Sequence, residues 1–181
     1  MKAVFSSVDL TNRQNPIANE FVSHVEDILE HPMFLQLDNY SQHLNTSRLQ
    51  HSLNVAYYTF LFARKLKLNV KEAVRGALLH DLFLYEWRTE QPEVGKHVNV
   101  HPAQALKNAK RMLDEVTPIM EDVIVNHMWP MGDAAPKSKE AWLVQAMDKY
   151  CAGLEFGVQT NKMSLRYNVT PLLVSMLIMI K

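Results

Sequence analysis

The chain has 181 residues, 48% of them hydrophobic, and sets 19 basic residues against 19 acidic ones. That length suits one domain and buries roughly 70% of the unfolded surface, so neither a disulfide nor a metal is needed merely to stay folded. Zero formal charge removes the simplest case for nucleic acid, a domain-wide excess of Lys and Arg, and no long block of like charge forms a tail or arm.

Only five glycines, with few alternating apolar-polar runs, predict helices throughout. The N-terminal MKAVFSSVDLTNRQNP has no long apolar stretch after its lysine and makes a poor signal peptide. Phe21, Val25, Ile28 and Leu29 at helical spacing predict a first helix over Ile17 to Glu30, ended by His31-Pro32. A second runs from about Ser47 to Leu66. The third starts at Asn69, where Asn69 and Glu72 fit the N-cap and N3 of a capping box, and ends near Leu84. A polar stretch from Arg88 to Val100 leads to a helix opened by Pro102 and running to Leu113. Thr117 as N-cap and Pro118 at N1 open the next, which ends near His127. After a loop from Trp129 to Lys137, Ser138 caps a long helix reaching about Gln159, and Thr170-Pro171 opens the last.

The apolar run of that last segment, Leu172 to Ile180, is less than half of the about 20 residues a bilayer core needs. It reads as a packed helix, within the domain or across a homodimer, and no membrane partner is expected. Cys151, the one cysteine, has no internal partner, which fits a reducing compartment and a cytoplasmic location. No repeat, low-complexity stretch or linker divides the chain. One all-α domain over residues 1–181, a bundle of roughly six to eight helices, is expected.

The eight histidines gain meaning from the helix faces. His51, Val55, Tyr58 and Phe62 form one stripe of the second helix, while Leu49, Leu53, Ala56 and Phe60 form the opposite one. A helix apolar on two faces is central, so His51 points inward. Asp81 falls in the stripe Val70, Val74, Ala77 and Leu84, with His80 on the adjacent flank. His127 continues Met120, Val123 and Ile124, and Asp148 falls among Ala141, Val144, Cys151 and Ala152. His101 sits at the mouth of the Pro102 helix. An unpaired buried carboxylate costs several kcal/mol, so such groups are paired, neutralised or metal-bound. The set therefore predicts either a hydrogen-bonded His/Asp network or a shared cation of the Zn, Mn or Fe type, held by one ligand-bearing face per helix.

Taken singly, each residue has an ordinary reading: a satisfied core histidine for His51 or His127, a buried pair for Asp81, a solvated or capping acid for Asp148. His97, four before His101, mimics helical ligand spacing; it is placed on the connecting loop, with a metal contact as the alternative. Glu155 shares the Asp148 face two turns on, either behind a ligand or in a salt bridge. Trp87, Trp129 and Trp142 are assigned to packing, and His24, His31 and His43 to the surface. Cys151 reads as a small core residue.

The order His51, His80-Asp81, His101, His127, Asp148 resembles the HD-domain superfamily of metal-dependent phosphohydrolases, named for the adjacent His-Asp doublet. Arg48-x-x-His51-Ser52-x-x-Val55-Ala56 is similar to the opening helix of small bacterial members, and Val144-Gln145-Ala146-Met147-Asp148-Lys149 to their closing motif. The resemblance implies that His51, His80, Asp81 and Asp148 hold a first divalent ion. It also implies that His101 and His127 hold a second, with Asp81 between them. One or two transition ions (Fe, Mn, Zn, Co or Ni) would activate a water against a phosphomonoester or phosphoanhydride. A small phosphate-containing substrate, most naturally a nucleotide, is the expected partner. Arg48 and Lys149 are the cations nearest in sequence for phosphate, though either could equally be an ordinary surface charge or salt-bridge partner; Arg88, Lys96 and Lys137 rank below them. No Gly-Lys follows the doublet, and neither His-His-Glu nor Gly-Tyr-Pro occurs at His127, which disfavours the cyclic-dinucleotide phosphodiesterase branch. The extra length of the guanosine tetraphosphate and large deoxynucleotide hydrolases is missing too. Three readings stay open: a phosphohydrolase, a catalytically silent HD domain that binds nucleotide or regulates, and a structural bundle with a buried His/Asp network.

Overall fold

A computed structural model of the chain describes residues 1–43, 45–90 and 95–167. Among them lie α1 (Pro16–Ser23), α2 (Glu26–Leu29), α3 (Pro32–Leu35), α4 (Arg48–Leu66), α5 (Val70–Leu79), α6 (His97–Met112), α7 (Pro118–Asn126) and α8 (Lys139–Tyr167). A 3-10 turn, Gln36–Asn39, and an antiparallel hairpin of β1 (Ser41–His43) and β2 (Thr46–Ser47) join α3 to α4. The architecture is all-α as expected, and the hairpin is an addition to it. The expected helix from Thr170-Pro171 lies outside the described residues. Among the described residues no helix is long and apolar enough to cross a membrane.

The α4 helix runs through the middle and packs against α5 and α8. Its residues His51 to Tyr57 are all buried, as two apolar faces require, whereas Phe62 outruns the core and is exposed. Around it, Phe21, Phe60, Leu53, Leu78, Val123 and Val144 belong to one buried apolar cluster. Each such side chain contributes about 1.5–3 kcal/mol by leaving water.

Capping explains most helix starts. Asn15, Ser47, Asn69, Thr117 and Ser138 each accept a backbone N–H from the first turn of the helix they open. The capping box at Asn69 does not close, however. Its own N–H donates to Glu140 Oε1 at 2.9 Å, and the Glu72 carboxylate accepts from the Thr117 hydroxyl.

Four boundaries differ from expectation, α8 among them, which runs on to Tyr167, past the expected end near Gln159. The first helix breaks at Val25, whose φ of −141° is not helical, and Pro32 opens α3 with the His31 ring as cap instead of ending a helix. The α6 helix begins at His97, so His101 lies one turn inside it, not at its mouth. Pro102 sits inside the helix, in its second turn, and supplies no N–H there. The α5 helix stops at Leu79 instead of Leu84, because tertiary donors claim the carbonyls that follow. Asn108 Nδ2 takes Leu82 O at 2.8 Å, the Arg48 guanidinium takes Phe83 O and Tyr85 O, and Tyr40 Oη takes Leu84 O.

Helices α5 and α7 approach closely at Gly76, where an added Cβ would lie 2.8 Å from Val123 Cγ1 and 2.9 Å from its Cβ. Valine is stiff in a helix, so the helices themselves must separate. Gly76→Ala is expected to destabilise the protein by about 1–2 kcal/mol: overpacking costs roughly 1–3, offset by up to about 1 from alanine's helix propensity. Denaturant unfolding checks this, and adding Val123→Ala should recover part of the loss.

Candidate metal centre

Four helices and the turn after α5 bring six side chains to one buried point. His51 comes from α4, His80 and Asp81 from the end of α5, His101 from α6, His127 from the end of α7 and Asp148 from α8. All six are buried, Asp148 being the most open at 9% exposure. The predicted ligand set is therefore gathered without exception.

Hydrogen bonds on the far side of each ring fix the tautomers. His80 Nδ1 lies 2.7 Å from Ala77 O, His101 Nδ1 2.7 Å from His97 O, and His127 Nδ1 2.8 Å from Ile124 O. A carbonyl only accepts, so each Nδ1 carries the hydrogen and each neutral ring turns an Nε2 lone pair inward. His51 differs: both its nitrogens face carboxylates, Glu155 at 3.0 Å from Nδ1 and Asp148 Oδ1 at 3.0 Å from Nε2, so without a cation it can carry a hydrogen on each.

The result is acceptor facing acceptor. His101 Nε2 and His127 Nε2 are 3.1 Å apart, and Asp81 Oδ1 lies 3.3 Å from the first and 3.6 Å from the second. His80 Nε2 stands 3.4 Å from Asp81 Oδ2 and 3.8 Å from Asp148 Oδ1. His80 Nε2 and Asp81 Oδ1 are buried without a hydrogen-bond partner. Lone pairs so placed repel one another unless a cation stands between them. Ligands about 2.1 Å from one ion lie roughly 2.9–3.4 Å from each other, and the His51–Asp148, His101–His127, His101–Asp81 and His80–Asp81 distances fall in that range. Donor atoms of His51, His80 and Asp81, of His80, His127 and Asp148, and of Asp81, His101 and His127 form groups within 4.8 Å. The residues present fit a divalent metal; the sub-clusters on the His51/His80 side and the His101/His127 side meet at Asp81, and His80 and His127 also share a group with Asp148.

Without a cation, protons take up part of the strain. Burial opposes protonation of His51, but its hydrogen bonds to Asp148 and Glu155 prevail and raise it to about 10. His80 is also raised: burial lowers it, yet the Asp81 charge outweighs that. His127 is lowered to about 3, by burial and then by His80. Asp81 and Asp148 are held below the carboxylate range: burial alone would raise both, but the ring of His80 at Asp81 and that of His51 at Asp148 outweigh it.

Several further residues reach the site, Glu155 on the face the sequence indicated and Gln42 and His43 without a sequence signal. Glu155, 2% exposed, accepts from Asn54 Nδ2 at 2.7 Å and grips the far nitrogen of His51. Asn54 is oriented for this, because Val4 N and Gln50 Nε2 both donate to its Oδ1. A carboxylate behind a ligand histidine fixes its ring and strengthens its donation. His43, expected at the surface, is half-buried with its ring 4.9 Å from that of His51, because the hairpin folds over α4. Gln42, on the same strand, donates from Nε2 to Asp81 Oδ2 at 2.5 Å. His97 is on α6, not on a loop; its ring stacks between Trp87 and His101, and its Nδ1 shares a hydrogen bond with Tyr85 Oη at 3.0 Å.

The two expected phosphate cations are placed differently. Lys149 lies at the rim, donating to Asp148 Oδ2 at 2.8 Å and to His127 O at 2.6 Å. Arg48 is wholly buried, its guanidinium 3.4 Å over the Phe83 ring and bonded to Gln42, Phe83 and Tyr85. It faces the protein interior, because satisfying the loop after α5 requires those donors. Cys151 is buried, as expected of a core residue. Trp142 is exposed on α8.

Comparisons with known proteins agree with this geometry. A curated relative, "Putative phosphohydrolase YueE" of Bacillus subtilis (strain 168), is 28% identical over 90 residues, 48% of this chain and 48% of that protein. The chain thus spans about half the length of that relative. No solved structure matches the chain. The HD domain family model matches residues 48–153, which carry every ligand-type side chain of the cluster, and the chain belongs to the HD-domain family.

Proposed function

We propose that this protein is a metal-dependent phosphohydrolase, cleaving a phosphomonoester or phosphoanhydride of a small substrate, most naturally a nucleotide. The observation that carries this reading is the gathering of inward Nε2 atoms and carboxylate oxygens at 3.3–3.8 Å, with His80 Nε2 and Asp81 Oδ1 buried and without a hydrogen-bond partner. Family membership and the phosphohydrolase likeness of the curated relative support it.

His51, His80, Asp81 and Asp148 would hold one divalent ion, and Asp81, His101 and His127 a second. Bound there, such ions lower the pKa of a coordinated water toward about 7 and offset phosphate charge. The protein's own residues do the rest. Glu155, Ala77 O, His97 O and Ile124 O keep the four rings in the tautomer that presents Nε2. Lys149, beside Asp148 at the rim, is placed to meet a phosphate oxygen. Asp148, the most open ligand, marks the side from which substrate would enter. A neutral protein suits this task, because the ions supply the positive charge.

A hydrolysis screen over nucleotides and other phosphate esters with added Mn²⁺, Fe²⁺, Co²⁺, Ni²⁺ or Zn²⁺ tests the reading, with Asp81→Ala as control. Turnover that needs metal and is lost in Asp81→Ala supports it. A metal-loaded protein inert across the panel would favour the silent regulatory module instead.

The histidine shifts also predict a pH dependence. His51, raised to about 10 in the metal-free fold from 6.5, contributes stability that is complete below pH about 6.5. That contribution is lost as pH rises toward 10, and His80 acts in the same direction. His127, lowered to about 3, contributes above pH 6.5 and loses its contribution only as pH falls below that. In chelator the melting temperature is therefore expected to fall between pH 7 and 10, and added metal should flatten the fall. A chelated protein with a flat profile over that range would contradict the assignment.

A further inference from the structure

The hairpin between the 3-10 turn and α4 lies outside residues 48–153, the span that matches the family. Yet it delivers a side chain to the carboxylate at the centre of the cluster. Gln42 Nε2 donates to Asp81 Oδ2 at 2.5 Å, and Gln42 Oε1 accepts from Arg48 Nε at 3.0 Å. The direction of this chain is forced. Arginine only donates, so the amide must turn its oxygen to Arg48 and its N–H to Asp81. Arg48 cannot swing away, since its remaining N–H groups hold Phe83 O and Tyr85 O and its plane rests on Phe83. A buried cation thus sets the pose of a neutral amide, which in turn sets the pose of a carboxylate.

We infer that Gln42 is a positioning residue for the metal centre: its amide, aimed by Arg48, pins Asp81 Oδ2 and so turns Oδ1 toward His101 and His127. The inference rests on the proposed metal centre. It accounts for two facts together. Asp81 Oδ1, at 3.3 Å and 3.6 Å from the two rings, is the oxygen left without a hydrogen bond, while Oδ2 is the one with a donor. It also gives the buried Arg48 a role toward the site through another residue, not by touching substrate. Gln42 leaves Oδ2 a second lone pair for the His51, His80 and Asp148 side. The cluster built on Oδ1 depends on rotation about the Asp81 side chain, and that rotation is what Gln42 fixes. Loss of the amide should therefore weaken the His101/His127 side selectively.

The test is calorimetric titration of chelator-treated full-length protein with Mn²⁺, with electron paramagnetic resonance of the loaded samples. Wild type is expected to bind two ions with an exchange-coupled spectrum. Gln42→Leu, similar in size but without donor or acceptor, should bind one ion as wild type does. The second should weaken by about 10–100-fold, the usual effect of losing a partner that orients a ligand, and the coupled signal should fall with it. Arg88→Ala separates the amide from the hairpin that carries it. Arg88 NH2 donates to Gln42 O at 2.8 Å and holds the strand without touching Asp81, so this variant should keep both ions. If Gln42→Leu does not fold, Gln42→Asn keeps the amide but shortens its reach, and the same selective loss is expected. Unchanged affinities and coupling in the Gln42 variant, or an equal loss in Arg88→Ala, would overturn the inference while leaving the metal centre standing. A wild type that binds no ion would overturn both.

Discussion

Replacing Asp81 by asparagine is expected to remove metal binding at both sub-clusters and to lower metal-dependent hydrolysis by at least about 10³-fold, with the fold retained. Asp81 offers one oxygen to each side, Oδ2 at 3.4 Å from His80 and Oδ1 at 3.3 Å from His101. An amide of the same shape brings no charge, and its N–H opposes a cation. A bound metal supplies several kcal/mol of charge stabilisation, and each 1.36 kcal/mol is tenfold in rate, hence the estimate. The fold should survive because the amide can donate to a histidine Nε2 and so ends part of the acceptor-acceptor conflict. Metal content, circular dichroism and turnover measured on one preparation check all three expectations. Full metal binding by the variant would contradict the role given to Asp81.

Metal loading is expected to raise the melting temperature by about 10–20 °C over the same protein in chelator. An ion that binds only the folded state adds about 2.7 kcal/mol at a free concentration a hundred times its dissociation constant. Two such ions add roughly twice that, and a chain of this size gains about 2–4 °C per kcal/mol. A large response is expected because the metal-free cluster must hold Asp81 and Asp148 beside four histidines that share too few protons. Differential scanning fluorimetry across a metal series is sufficient. Equal melting temperatures with and without metal would support the structural bundle with a buried network instead.

Much of the site was legible in the sequence because helical periodicity reports burial directly. His51, Asp81, His127 and Asp148 each fell on an apolar stripe, and each is buried. Glu155 carried a signal too, lying two turns after Asp148 on the same face. Gln42 and His43 carried none. They belong to a short hairpin, β1 and β2, whose position depends on tertiary packing over α4, and a glutamine or lone histidine in a loop has no distinguishing spacing. The end of α5 was illegible for a related reason: Leu82 to Leu84 continue a helical apolar pattern. Donors from Asn108, Arg48 and Tyr40, distant in sequence, claim the carbonyls there. Arg48 itself looked like a phosphate ligand by proximity to His51, but sequence proximity says nothing of which way a guanidinium turns once such carbonyls need it. Pro102 was over-read as a helix start; α6 begins five residues earlier, at His97, and carries the proline in its second turn.

The central claim is that the inward nitrogens and carboxylate oxygens surround cations. Anomalous diffraction from crystals of protein loaded with Mn²⁺ or Zn²⁺ tests it most directly. One peak is expected among His51, His80 and Asp148 and a second among His101 and His127, with Asp81 between them. Crystals grown with excess metal that show no peak at either place, the histidines being hydrogen-bonded only to one another and to water, would contradict it.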